Sequence, residues 1–130
     1  MASIQKYVLI VASPDDVWAA VRDVGNVHER LVPGLLTDCK LDGDTRIVTF
    51  ANGMIVREPI IAIDDNEHRL AWAAVGGQFK HYNASLQVFD EGAGLTRLVW
   101  IADLLPNELA TMVDDLMEQG LAIMKDTLEG

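Results

Sequence analysis

With 130 residues, half of them apolar and 23% charged, the chain suits one domain, expected over residues 1–130, that buries roughly two-thirds of the surface its unfolded form exposes. Twenty acidic side chains against ten basic ones give a net charge of −10, which repels nucleic-acid phosphates and anionic lipid surfaces, and no apolar stretch approaches the ~20 residues of a membrane span. The expectation is a soluble, cytoplasmic protein that binds no nucleic acid and inserts in no membrane; the lone Cys39, read as a buried inert thiol, fits a reducing compartment.

The opening residues MASIQKYVLIVAS hold only a short apolar core and run on into a strand-to-helix pattern, not a cleavage signal. Gln5 to Ala12 reads as a strand. Ser13-Pro14-Asp15-Asp16 opens a helix at Pro14: Ser13 can cap it, Pro14 lacks a donor that would go unpaired there, and two carboxylates suit the positive helix end. Val17, Trp18, Val21 and Val24 give that helix one apolar face until Gly25-Asn26 stops it. A second short helix is expected from Val27 to Leu31, ended by Pro33-Gly34. From Leu35 to Leu105 the punctuation changes to strand spacing. Turns at Asp42-Gly43-Asp44, Asn52-Gly53, Asp64-Asp65-Asn66, Gly76-Gly77 and Glu91-Gly92-Ala93-Gly94 separate about six strands, and such short reversals make the sheet antiparallel. A last helix, predicted from Pro106 to about Leu128, carries Leu109, Met112, Val113, Leu116, Met117, Gly120, Leu121, Ile123, Met124 and Leu128 on one broad stripe and would run about 35 Å.

Strand, two short helices, six further strands and a long helix, carried by SPDDVWAAVRD, NGMIVREPIIAIDDNEHRL and HYNASLQVFDEGAGLTRLVWIADLLP, together resemble the helix-grip fold of the START/Bet v 1-like (SRPBCC) superfamily, and most closely its bacterial polyketide cyclase/dehydrase-like branch. The resemblance spans essentially the whole chain. It implies an α+β fold in which a curved antiparallel sheet of about seven strands wraps a long C-terminal helix, and it leaves function open, because the fold hosts carriers, receptors and enzymes. The middle segment is also similar to the plant abscisic-acid receptors. That similarity implies that Glu58 faces the cavity and joins a water network with Tyr82, that Trp72 occupies an aromatic pocket position, and that Val75-Gly76-Gly77 begins a mobile latch. The lysine that holds the hormone's carboxylate is replaced by Thr37, the latch is shorter, and the gate motif is missing at Thr49-Phe50-Ala51-Asn52, so abscisic acid is not the expected ligand.

Glu58 is the sharpest site candidate, since it interrupts the apolar strand MIVREPIIAI. Facing inward it could act as acid, base or hydrogen-bonding group; facing outward it would pair with Arg57 or a cross-strand base. Both parities of this strand are apolar, so alternation leaves the choice open, and only the resemblance favours the cavity. Tyr82 shares the apolar parity of its strand with Ala84, Leu86 and Val88, which makes it packed core whose hydroxyl needs a partner. Trp72, Trp100 and Ala84, with Met112, Leu116, Met117 and Gly120 of the last helix, are the expected cavity lining. His28, Phe50, Gly76, Gly77, Phe79 and His81 are placed at its mouth, although His81 falls on the polar parity and His28 sits among charged neighbours. His68 is the weakest of the three histidines. Arg46 and Asp103 read as ion-pair residues on the sheet's outer face.

No HxH, HxxxH or HExxH spacing, GxSxG, Walker A or Rossmann glycine pattern occurs, so no metal or cofactor is expected. Two functions follow. One is a carrier or sensor that buries a small, mostly hydrophobic molecule of aromatic, polyketide-like or lipid-like type. The other is an aromatase/cyclase or dehydratase using Glu58 and Tyr82 as an acid/base pair, with His28 or His81 as a third group. Apolar residues on both parities of the middle strands also suit a homodimer face.

Overall fold

Ser13 Oγ accepts from the Asp16 backbone N–H at 3.2 Å, and Pro14 starts helix α1 (Pro14–Arg22), as the capping pattern predicts. The computed structural model, which describes residues 1–130, gives this chain strands β1 (Ala2–Val11), β2 (Leu36–Asp42), β3 (Thr45–Phe50), β4 (Ile55–Asp64), β5 (Arg69–Ala73), β6 (His81–Gly92) and β7 (Leu95–Leu105). All pair antiparallel in one curved sheet of order β1-β7-β6-β5-β4-β3-β2. Each of β2 to β7 thus lies beside its sequence neighbour, while β1 closes against β7. The expected α+β helix-grip arrangement is observed.

The helices depart from expectation in detail. α1 ends at Arg22; Val24–Asn26 form a 3-10 turn and α2 spans only Val27–Arg30. The C-terminal helix does not begin at Pro106. Asn107–Leu109 form a 3-10 turn first, and α3 runs Ala110–Glu129, about 30 Å. α3 lies along the inner face and clamps the free edge of β1. Lys6 pairs with Asp114 at 3.1 Å and Glu118 at 3.0 Å, Lys125 Nζ donates to the Leu9 carbonyl at 2.9 Å, and the Val11 N–H donates to Glu129 at 2.8 Å. Satisfying these edge groups with a helix removes a template for unwanted strand pairing. No helix is long and apolar enough to cross a membrane.

The core lies between sheet and helices, with Ile10, Val17, Val21, Leu31, Leu70, Leu98, Leu104, Val113 and Met117 essentially solvent-free. β4 explains its own ambiguous pattern. Trp72, which faces inward, opposes Ile60, whereas the inward Leu70 opposes Ile63, because the register shifts between Ile60 and Ala62. The even positions Val56, Glu58, Ile60 and Ala62 stay half-buried on either side of that shift, while the apolar Ile61 and Ile63 are 63% and 40% exposed.

Candidate functional site

Between the inner face of the sheet, the segment from α2 to β2 and the middle of α3 lie two neighbouring chambers. The inner one, about 60 Å³, is walled by Leu31, Leu36 and Leu86 and closed by the aromatic pair Trp72 and Trp100, whose ring centroids stand 6.2 Å apart. The outer one, about 390 Å³, extends past the β3–β4 turn (Asn52, Met54), Phe79 and the α3 residues Met112 and Gln119. Leu35, Phe50, Glu58, Tyr82 and Leu116 border both, so they form the partition between them. A drug-sized ligand usually occupies about 300–1,000 Å³, so only the outer chamber holds the bulk of one.

Asn52, Asp115 and Gln119 stand at the exposed rim of the outer chamber, whereas the buried polar groups sit at the partition and in the inner chamber. Glu58 opposes Arg46 in the β3–β4 register and accepts from Arg46 Nε at 2.8 Å. The Arg46 side chain is 4% exposed and that of Glu58 14%. The Arg46 guanidinium also stands 5.1 Å from the Trp72 ring centroid, a cation–π contact strengthened by exclusion of water. Arg46 is therefore not an outer-face residue, as its strand suggested; it is the buried counter-ion of Glu58. Both alternatives for Glu58 are partly realised: it faces the cavity and also pairs with a cross-strand base. Arg57 on the opposite parity pairs with Asp42 at 3.2 Å. Tyr82 is 8% exposed and its ring stands 5.0 Å from Phe79. Burial, and then the nearby Glu58 charge, push its phenol well above the usual range, against the smaller opposing effects of Arg46 and Trp100, so the hydroxyl stays a donor.

Of the remaining residues singled out by sequence, Trp72 and Trp100 wall the inner chamber, Phe50 and Leu116 the partition, and Phe79 and Met112 the outer chamber. Ala84, Met117 and Gly120 are buried behind these walls and line neither chamber. Gly120 has a packing role: a Cβ there would come within 2.8 Å of Trp100 Cζ3. Gly76 and Gly77, exposed with φ of 88° and 66°, turn the chain so that Phe79 reaches the outer chamber, and do not border it. His28 Nε2 stands 3.6 Å from Glu29, and His81 is exposed and hydrogen-bonded to Asn83; neither lines a chamber. Asp103 does lie on the outer face, where it accepts from Asn83 at 3.1 Å, and Ser3 and Asn83 hold its carboxyl below the usual range. His68 stacks on Trp18, centroids 5.3 Å apart. Cys39 is half-buried, its thiol pushed up by burial.

Sequence reasoning missed Arg46 and the apolar wall from the α2 region. A signal for Arg46 existed, since it shares parity with Val48 and Phe50 while Thr45, Ile47 and Thr49 take the other. No group of three or more His, Cys, Asp or Glu side chains comes together as a metal cluster would require.

Comparison with known proteins follows the same geometry. Residues 1–129 match the family described as polyketide cyclase / dehydrase and lipid transport. An uncharacterized protein of Bacillus thuringiensis superposes with a TM-score of 0.89 at 16% identity, over 99% of this chain and 100% of that one. Norcoclaurine synthase from Thalictrum flavum superposes with a TM-score of 0.75 at 21% identity, over 98% of this chain and 84% of that one. The di-domain ARO/CYC BexL from the BE-7585A biosynthetic pathway gives 0.82 at 17% identity, over 99% of this chain and 47% of that one. At these identities the likeness is one of fold. No curated protein matches the sequence.

Proposed function

Because the chain belongs to the polyketide cyclase / dehydrase and lipid transport family, we propose that it binds a small, mostly hydrophobic molecule between the sheet and α3, as a carrier or sensor. The observation that carries this reading is the outer chamber of about 390 Å³, walled by Phe50, Met54, Phe79, Met112 and Leu116 and continuous across its partition with a buried polar group. Apolar walls with a few placed polar atoms are what a small-molecule site needs. Native mass spectrometry of the purified protein, compared with the denatured sample and its organic extract, tests it. The expected result is a discrete bound mass of drug-like size that Leu116→Trp, which fills the chamber, reduces. An apo mass, with no binding from a panel of aromatic and lipid-like compounds, would overturn the reading.

One observation favours a second reading, ring closure or dehydration of a polyketide-like carbonyl compound: Glu58 and Tyr82 border both chambers. In that case Tyr82→Phe, which keeps the ring and removes the proton donor, retains binding and loses turnover.

A further inference from the structure

Two buried donors, on side chains that line the inner chamber, make no well-formed hydrogen bond within the protein. Arg46, 3% exposed, gives its Nε to Glu58, yet nothing accepts from its Nη1; Trp100, 7% exposed, has no acceptor in bonding geometry at its indole Nε1, its polar neighbour being the Tyr82 hydroxyl. Buried N–H groups are nearly always paired, because leaving one unpaired forfeits its solvation without return. Two of them on the wall of one chamber are a prepared place for an acceptor. At about 60 Å³ that chamber admits a few water molecules or a head group of a few atoms, and nothing larger. The body of a ligand would have to lie beyond Leu116 and Phe50, in the larger apolar space.

The charge of the acceptor follows from Glu58. Its carboxylate, 2.8 Å from Arg46 Nε, already balances the guanidinium, so the pair presents donors without net charge. A second anion would face Glu58 in a medium of low dielectric and lose more solvation than the shared Arg46 returns. A carbonyl oxygen has two lone pairs and carries far less solvation to lose. Tyr82, protonated on the partition, adds a third donor within the same site.

Resting on the ligand-binding reading of this cavity, we propose that the inner chamber selects a neutral carbonyl oxygen, held by Arg46 Nη1 and Trp100 Nε1, on a molecule whose apolar body fills the outer chamber. The Arg46–Glu58 pair then acts as a specificity device that admits a ketone, aldehyde or amide oxygen and rejects both a bare hydrocarbon and a carboxylate.

Three probes with one aromatic body test this by calorimetry: 2-acetylnaphthalene, 2-ethylnaphthalene and 2-naphthoate. The ketone should bind at least about tenfold more tightly than either of the others. In Trp100→Phe, and separately in the paired replacement Arg46→Met with Glu58→Leu, its advantage over the hydrocarbon should shrink while hydrocarbon binding persists. The infrared carbonyl band of the bound ketone should lie below its position in hexane and move back toward it in Trp100→Phe. Should the paired variant not fold, Trp100→Phe and the infrared band carry the test alone. Equal binding of ketone and hydrocarbon would overturn the proposal and leave the ligand-binding reading standing, the donors then being served by water. Tightest binding of the naphthoate would overturn the choice of a neutral head group. No binding by any of the three would overturn the proposal, and the reading beneath it falls with it where the native mass is also apo and the wider panel does not bind.

Discussion

Arg46 on β3 and Glu58 on β4 stand directly opposite each other on the inner face of the sheet, joined by a 2.8 Å charge-assisted hydrogen bond that solvent scarcely reaches. Each charge is tolerated there because the other is present. Removing one leaves the other buried and uncompensated, which costs about 3–5 kcal/mol, whereas exchanging both for apolar residues of similar volume is often neutral. Glu58→Gln should therefore lower the unfolding free energy by about 2–4 kcal/mol, slightly less than a full charge deletion because the amide still accepts one hydrogen bond. The pair Arg46→Met with Glu58→Leu should come within about 1 kcal/mol of the parent. Urea denaturation of the three proteins checks this; a paired variant that loses as much as Glu58→Gln, or more, would show that removing the second charge does not compensate for removing the first.

Gly120 lies on the buried face of α3 against the Trp100 ring. Alanine normally favours a helix over glycine by about 0.8–1.0 kcal/mol. Here its Cβ would stand 2.8 Å from Trp100 Cζ3 and 3.8 Å from Leu35 Cδ2, and a ring held in a packed wall does not yield as the end of a flexible chain does. Overpacking costs about 1–3 kcal/mol, so Gly120→Ala should be net destabilising by about 1 kcal/mol. A shift in tryptophan emission should accompany the lower denaturation midpoint. A more stable Gly120→Ala protein would mean that the ring moves freely.

Asp65 ties the β4–β5 turn to α1, accepting from Arg22 Nε at 2.8 Å and Trp18 Nε1 at 2.9 Å. Arg22 first and Trp18 second hold its carboxyl below the usual range. A carboxyl depressed in the folded state adds stability that is fully present above its unfolded value of about 3.9 and is lost as pH falls through the lower folded value. Urea midpoints between about pH 6 and pH 3 should fall less in Asp65→Asn than in the parent, because the variant lacks the proton-linked part of the loss. Parallel falls would show that other carboxylates govern the acid limb.

Tyr82 should ionise late. The chain has two tyrosines, so Tyr7→Phe leaves Tyr82 as the sole phenol for an ultraviolet titration. Burial and Glu58 raise its folded-state value, so phenolate absorbance should stay absent past the ordinary midpoint of about 10 and then appear together with unfolding. Since the unfolded chain releases this proton first, stability declines as pH rises above about 10. A reversible midpoint near 10 in the folded protein would mean that water reaches the partition.

Much of the architecture was already written locally. Ser13 and Pro14 start a helix through their own hydrogen bond and fixed backbone angle, and the alternation from Tyr82 to Val88 assigns one side of β6 to the core. Such signals depend on residues a few positions apart, so the chain displays them without its fold. The order of strands and helices, combined with short reversals, was enough for the helix-grip arrangement. Pro106 misled for an equally local reason: it suits a helix start, but the chain uses it ahead of a 3-10 turn and begins α3 at Ala110.

The site was less legible, because its determinants are long-range. Glu58 could be read as a candidate from its apolar strand, yet its direction could not, since Ile55, Ile61 and Ile63 make the exposed parity of that strand as apolar as the buried one. Arg46 became its partner only when β3 and β4 came into register, and Trp100 became a wall of the same chamber only when β7 folded beneath Gly120 of α3. Sequence by itself determined the elements, their order and the charge balance, because each rests on backbone preference and hydrophobic period. Tertiary structure alone decided which polar groups meet, which of their donors stay unpartnered and how much space faces them, because burial and pairing are properties of residues distant in the chain.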